Sequence, residues 1–201
     1  EEFVGVSGTL EGMEQLPDGI FLPPIGFNCA EEEFGRRIGN TYNDRRLIPG
    51  RCAHLTEPKP IHTDLGRGTC QSRNQCQRGC SLGAYFSSQS ATLPAAKRTG
   101  NLTIITDSIV DSIIYDPKNK KASGVRVIDS RTNITTTYNA KVIFLCASTL
   151  GTTQILLNSK SEHFKTGFAN RSDAVGRYLM DHLALTGARG ELDAFQDKYY
   201  I

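Results

Sequence analysis

The sequence predicts a mixed fold, α+β with an α/β portion, on three observations. Residues 124–129 and 135–138 alternate apolar and polar side chains on either side of the polar stretch 130–133, which is a hairpin pattern. Ala140–Ala147 is apolar on both faces, as a strand inside a covered parallel sheet must be, and a helical run follows it directly. By contrast, the first 67 residues are broken by Pro and Gly and show little periodicity.

Taken in order, the opening stretch holds Leu16-Pro17-Asp18-Gly19 and Leu22-Pro23-Pro24-Ile25-Gly26 and reads as an irregular surface excursion. Asn28 is placed to cap a helix over Ala30–Gly39, with Glu31, Glu32 and Glu33 favourable on its first turn. Asn43–Arg46 is a turn, and Leu47-Ile48-Pro49 is expected to form a short edge strand. Residues 61–83 are rich in Gly, Cys and Gln and read as an ordered loop. A helix is expected near Ser88–Lys97, ended by Thr99-Gly100. Leu102–Thr106 and Ile109–Tyr115 read as strands with a turn at Pro117–Lys120, leading into the hairpin. After the strand at 140–147, Ser148-Thr149 offers an N-cap for a helix over Leu150–Asn158. The expected organisation is therefore an irregular segment 1–67, a cysteine loop and helix 68–100, a meander-strand-helix unit 101–160, and a crossover segment 161–201.

Composition excludes several classes. The chain has 201 residues, enough to bury a real core, with 23 basic and 21 acidic side chains and a net charge of +2. That balance argues against a dedicated nucleic-acid binder or a polybasic membrane clamp. Apolar runs such as Val142–Leu145 fall far short of the ~20 residues of a membrane span. The first residues, Glu1-Glu2-Phe3-Val4, show neither a signal peptide nor a natural start, so the sequence is expected to be an internal piece of a longer protein. Charge is uneven: residues 1–28 carry five acids and no base, whereas 61–100 carry Arg67, Arg73, Arg78, Lys97 and Arg98 against Asp64 alone.

Six cysteines are too few for a disulfide-built scaffold and do not fix a compartment. Cys146 lies in the apolar run and is expected to behave as a small hydrophobe. Cys70, Cys76 and Cys80 sit on one loop, close enough to hold one inorganic centre. The pattern Cys-x5-Cys-x3-Cys lacks the paired ligands of common zinc sites but offers three thiolates, which suits a [3Fe–4S] cluster. A Cys76–Cys80 disulfide or three buried thiols fit the same spacing. His54, His62 and His163 have no partner pattern around them and are expected in loops or on the surface.

Five pieces in order carry a resemblance: Pro94-Ala95-Ala96 before Thr99–Ile104; Ser108-Ile109-Val110; Ala122–Val125; Ala140–Leu157; and Val175-Gly176-Arg177-Tyr178-Leu179-Met180-Asp181-His182. Together they resemble the middle of glucose–methanol–choline (GMC) flavoprotein oxidoreductases. The cysteine spacing resembles the gluconate and sugar dehydrogenase branch, although Gln71 stands where that branch often doubles its first cysteine.

The resemblance implies the middle portion of an FAD-binding, two-dinucleotide-binding-type fold. It implies FAD as cofactor, with the backbone at Val110 meeting the adenine and the turn Ala147-Ser148-Thr149 passing close to the diphosphate and ribose. Ser148 stands where the family favours glycine. The resemblance further implies oxidation of a CH–OH group in a sugar, polyol or sugar acid, with electrons leaving through a [3Fe–4S] cluster on Cys70, Cys76 and Cys80 or through a small subunit and a cytochrome. Export to the periplasm is compatible with that branch. The Asp181-His182 pair would be structural, the catalytic histidine lying in the family's C-terminal part, so no catalytic residue is expected in this chain. The pyrophosphate-binding Gly-x-Gly-x-x-Gly turn is likewise not found in the sequence, and the piece alone is expected to be inactive. Three other readings stay open: a non-catalytic α+β binding module, an iron–sulfur electron-transfer module without flavin, and, within the family, an oxidase using O2.

Overall fold

The computed structural model describes residues 1–9, 17–182, 187 and 189–198. They fall into two compact units, Glu1–Leu102 with Arg189–Ile201, and Thr103–Ala188.

Among the described residues, the first unit has helices but no extended sheet. Helix α1 (Cys29–Thr41) starts as expected: the Asn28 side chain accepts from the amides of Ala30 and Glu31, and Glu31 reaches back to the Asn28 amide. A one-turn helix α2 (Pro60–Thr63) and a 3-10 turn (Cys76–Arg78) punctuate the region expected to be loop, and α3 (Thr92–Arg98) overlaps the helix expected at Ser88–Lys97, starting later and including Arg98. Leu47-Ile48-Pro49 is not a strand. The local pairing runs instead through isolated bridges, Ser7 with Leu22 and Cys52, and His54 with Tyr85. The Leu55 amide donates to the Ala84 carbonyl, which buries Leu22, Leu55 and Ala84 as a small core with Cys70, Cys80 and Leu82 packed against it.

Two buried polar side chains tie the N-terminal residues to this core. His62 is fully buried; its Nδ1 accepts from the Lys59 amide, which leaves Nε2 to donate to the Glu2 carbonyl at 2.7 Å. Arg67, also buried, donates to the carbonyls of Gly83, Phe3 and Val4. Burial pushes the Arg67 guanidinium below its usual value, and the nearby Cys80 thiol partly offsets this. Carbonyl acceptors replace the lost water, which is what makes a buried charged donor tolerable. The expectation that His62 lies in a loop or on the surface is thus corrected.

The second unit is an antiparallel meander with strand order β1-β2-β3, made of β1 (Ser108–Asp116), β2 (Lys121–Asp129) and β3 (Thr135–Asn139). Helix α4 (Ser148–Asn158) packs on β1. The Ser159 hydroxyl joins them, donating to the Ile155 carbonyl while accepting from the Ile113 amide at 2.7 Å. Tyr115, Phe164 and Phe168 add an aromatic cluster, with ring centres 4.9 to 6.1 Å apart. Gly167 is required where it lies: its φ is +118°, and a Cβ there would sit 2.8 Å from the Leu156 carbonyl oxygen.

Two expected strands are corrected. Leu102–Thr106 is irregular, and Ala140–Ala147 belongs to no ladder. Val142 and Phe144 are 66% and 84% exposed rather than buried. A strand apolar on both faces needs a neighbour on each edge and a layer on each face. Among the described residues none supplies them, and β3, the nearest strand in sequence, is exposed throughout.

Candidate functional site

The second unit holds the residues expected to meet a dinucleotide. Val110 is half-buried on β1, an edge strand of the described sheet, and pairs with Val127. The register shifts between Val110 and Ser112, so Asp111 forms a bulge, and bulges re-aim the backbone beside them. Arg126 fixes this one, donating through Nε at 2.8 Å and through Nη2 to the Asp111 carboxylate. Those bonds, with one from the Ser112 hydroxyl, hold the Asp111 carboxyl below the usual carboxylate range. Farther along β1 the outward amide of Ile113 is taken by Ser159, but no strand covers the Ser108–Val110 end among the described residues.

Ala147, not the expected Ser148 or Thr149, is the residue that caps α4, and no side chain caps the opening amides. Ser148 has a φ of +57°, in the left-handed region. For a residue with a Cβ that conformation costs about 1–2 kcal/mol. The position expected to favour glycine therefore has the backbone that glycine adopts freely, although serine occupies it. The turn is exposed, and Gly151 lets the first helical turn close down on it, since a Cβ there would stand 3.2 Å from that of Ala147. Uncapped N–H groups at a helix start suit phosphate oxygens. The residues present fit a dinucleotide phosphate at this turn.

The first unit holds the cysteine loop. A cavity of about 650 Å³ is lined by Cys52, His54, Cys70, Cys76 and Cys80, together with apolar residues such as Phe34. The three loop cysteines do not converge. The Cys70 amide is tied to the Leu55 carbonyl and Cys70 packs at the core, as does Cys80. Cys76 turns instead to His54, with Sγ 3.6 Å from Nε2, and Cys52 Sγ lies 3.9 Å from the same nitrogen. Burial raises the Cys80 thiol, but the backbone amides of Tyr85, Leu82 and Ala84 and the charge of Arg73 bring it below its ordinary value overall. Among the described residues no three His, Cys, Asp or Glu side chains are placed to hold a metal ion. The arrangement does not fit the [3Fe–4S] cluster expected on Cys70, Cys76 and Cys80, and all six cysteines are free thiols, so the Cys76–Cys80 disulfide is not formed either.

His54 is the residue that sequence reasoning missed. It is half-buried, pairs with Tyr85 and packs against its ring in a tilted contact, with centres 5.0 Å apart. The available signal was its spacing of two residues from Cys52; a tight turn, in which the His54 amide donates to the Cys52 carbonyl, keeps the two side chains close. His163 is exposed near Tyr115, as expected. His182 is exposed, and its amide donates to the Asp181 carboxylate.

The family model for GMC oxidoreductase matches residues 47–184. The chain is similar to 2-methyl-1,2-propanediol dehydrogenase of Mycolicibacterium austroafricanum, 42% identical over 89% of this chain and 31% of that protein. It is also similar to the fructose dehydrogenase large subunit of Gluconobacter japonicus, 30% identical over 58% of this chain and 21% of that protein. A third relative is the oxygen-dependent choline dehydrogenase of Citrobacter koseri, 35% identical over 46% of this chain and 18% of that protein. The chain thus spans about a third or less of the length of these curated relatives.

Proposed function

The chain belongs to the GMC oxidoreductase family, and from that premise we propose that the whole protein is an FAD-dependent dehydrogenase acting on the CH–OH group of a small alcohol, polyol or sugar. When bound, FAD would supply the acceptor for the hydride leaving the alcohol carbon. This chain contributes binding rather than proton transfer. The β1 backbone at Val110, beside the Asp111 bulge, presents an N–H and a carbonyl to the adenine edge. The turn Ala147-Ser148-Thr149 brings backbone close to the diphosphate and ribose, and the uncapped amides opening α4 donate to phosphate oxygens. The observation that carries this reading is the left-handed backbone of Ser148 at the mouth of an uncapped helix. Strained backbone persists where the surroundings over-determine it, and close approach to a ligand is a common reason.

The names of the relatives set the substrate panel: a vicinal diol, a ketohexose and choline. The name of the fructose dehydrogenase large subunit supports a second proposed component, a small subunit or a cytochrome, as the acceptor of electrons.

The test is the visible spectrum of the full-length protein and its anaerobic bleaching by each substrate in turn. Flavin bands that bleach with one of the three support the reading and choose among substrates. A protein purified without flavin, unable to take up added FAD, refutes it and leaves the binding-module reading.

A further inference from the structure

Four of the six cysteines face one cavity, and the sulfurs of Cys52 and Cys76, on two separate segments, both lie within 4 Å of the His54 imidazole. From this geometry we propose that Cys52 and Cys76 form a redox-active dithiol served by His54, which low-molecular-weight disulfides oxidise to a Cys52–Cys76 bond.

Cys52 and His54 flank a bend at Ala53, closed by the His54 amide donating to the Cys52 carbonyl, and the segment is held from both sides: Cys52 exchanges backbone hydrogen bonds with Ser7, and Ala53 and Leu55 pair with Phe86 and Ala84. Cys76 opens a 3-10 turn in a loop otherwise without regular structure, where Ser72, Asn74 and Gly79 have positive φ. One partner is therefore fixed and the other is carried on a segment whose adjustment breaks no sheet. Because both sulfurs lie within 4 Å of His54 Nε2, they are close to each other. A disulfide needs the sulfurs at about 2.05 Å, so the bond forms only as the Cys76 turn moves toward Cys52.

His54 supplies the proton acceptor. As Cys76 sulfur attacks one sulfur of the small disulfide, its proton passes to Nε2. The oxidant's S–S bond breaks, one thiolate leaves and takes the proton from the imidazolium, and a mixed disulfide remains on Cys76. Cys52 then gives its proton to the same nitrogen and attacks the Cys76 sulfur. The mixed disulfide breaks and the second thiolate leaves with the second proton. Two protein thiols lose two electrons, and the oxidant is reduced to two thiols. The product would pin the loop carrying Cys70, Cys76 and Cys80 against the Cys52–His54 segment, changing one wall of the cavity.

The other loop thiols are poorer partners for Cys76. Cys70 and Cys80 pack against Leu22, Leu55 and Ala84, and neither is hydrogen-bonded to His54 among the described residues.

The test uses the reduced full-length protein, oxidised glutathione as the probe, alkylation to quench, and peptide mapping by mass spectrometry. A Cys52–Cys76 cross-link is expected as the dominant product, forming on the order of tenfold more slowly in His54→Gln. In Cys52→Ser a glutathione adduct is expected to persist on Cys76. Should either variant misfold, the map of the unsubstituted protein decides alone, with a sample oxidised in urea as reference: selectivity for this pair must vanish on unfolding. A native map joining Cys76 to Cys70 or Cys80, or a stable glutathione adduct on Cys76 beside alkylated Cys52, would overturn the proposal.

Discussion

Ser148→Gly is the substitution through which the backbone at the mouth of α4 can be measured. Serine there pays about 1–2 kcal/mol for its left-handed φ. Glycine removes that cost but adds about 0.4–1 kcal/mol of chain entropy to the unfolded state. The Ser148 hydroxyl makes no hydrogen bond among the described residues, so no side-chain interaction is lost. The balance is a gain of about 0.5–1 kcal/mol, equivalent to a rise in midpoint temperature of about 1–4 °C for a chain of this length. Thermal unfolding followed by circular dichroism, with Ser148→Ala beside it, reads the effect. Alanine keeps the Cβ and should gain nothing. If Ser148→Gly instead loses about 1 kcal/mol, as glycine does inside an ordinary helix, or if alanine gains equally, the left-handed reading is refuted.

Three further outcomes are expected. Leu55→Ala empties the centre of the small core against Leu22 and Ala84 and should cost about 3 kcal/mol by denaturant titration; a loss below about 1 kcal/mol would place the core elsewhere. Arg67→Met leaves three carbonyls, of Gly83, Phe3 and Val4, without their charged donor and should cost about 2–4 kcal/mol, with faster amide exchange in residues 3–7. Glu33 accepts hydrogen bonds from Arg36 and Arg37, which lower its carboxyl from 4.5 to about 2. Its contribution to α1 is therefore complete above pH 4.5 and is lost only as pH falls through about 2. A carboxyl titration by NMR midway at 4.5 would contradict the pairing.

What could be read in the sequence was what neighbours in sequence decide. The α1 capping box needs only Asn28 and Glu31, three residues apart, and the β2–β3 hairpin follows from alternation across one polar turn. Residues 140–147 failed for the complementary reason. Their composition announces a buried strand, but burial depends on neighbouring strands that composition does not locate. Likewise, nothing near Arg67 or His62 points to Phe3 or Glu2, which are 64 and 60 residues away. The cysteine loop shows both sides. Spacing placed three thiols on one loop, yet Cys76 turns to His54, 22 residues earlier, because the bridge between His54 and Tyr85 brings that segment beside the loop. At the candidate dinucleotide turn, the family pattern marked Ser148 as a departure from glycine, but only the backbone reveals that this serine has a left-handed φ of +57°.

The residue-level account of FAD binding is tested most directly by hydrogen–deuterium exchange of the full-length protein with and without FAD. Protection is expected at residues 109–111 and at 147–150, the bulged end of β1 and the opening amides of α4. Protection confined to other segments, with these two exchanging equally in both states, would contradict it.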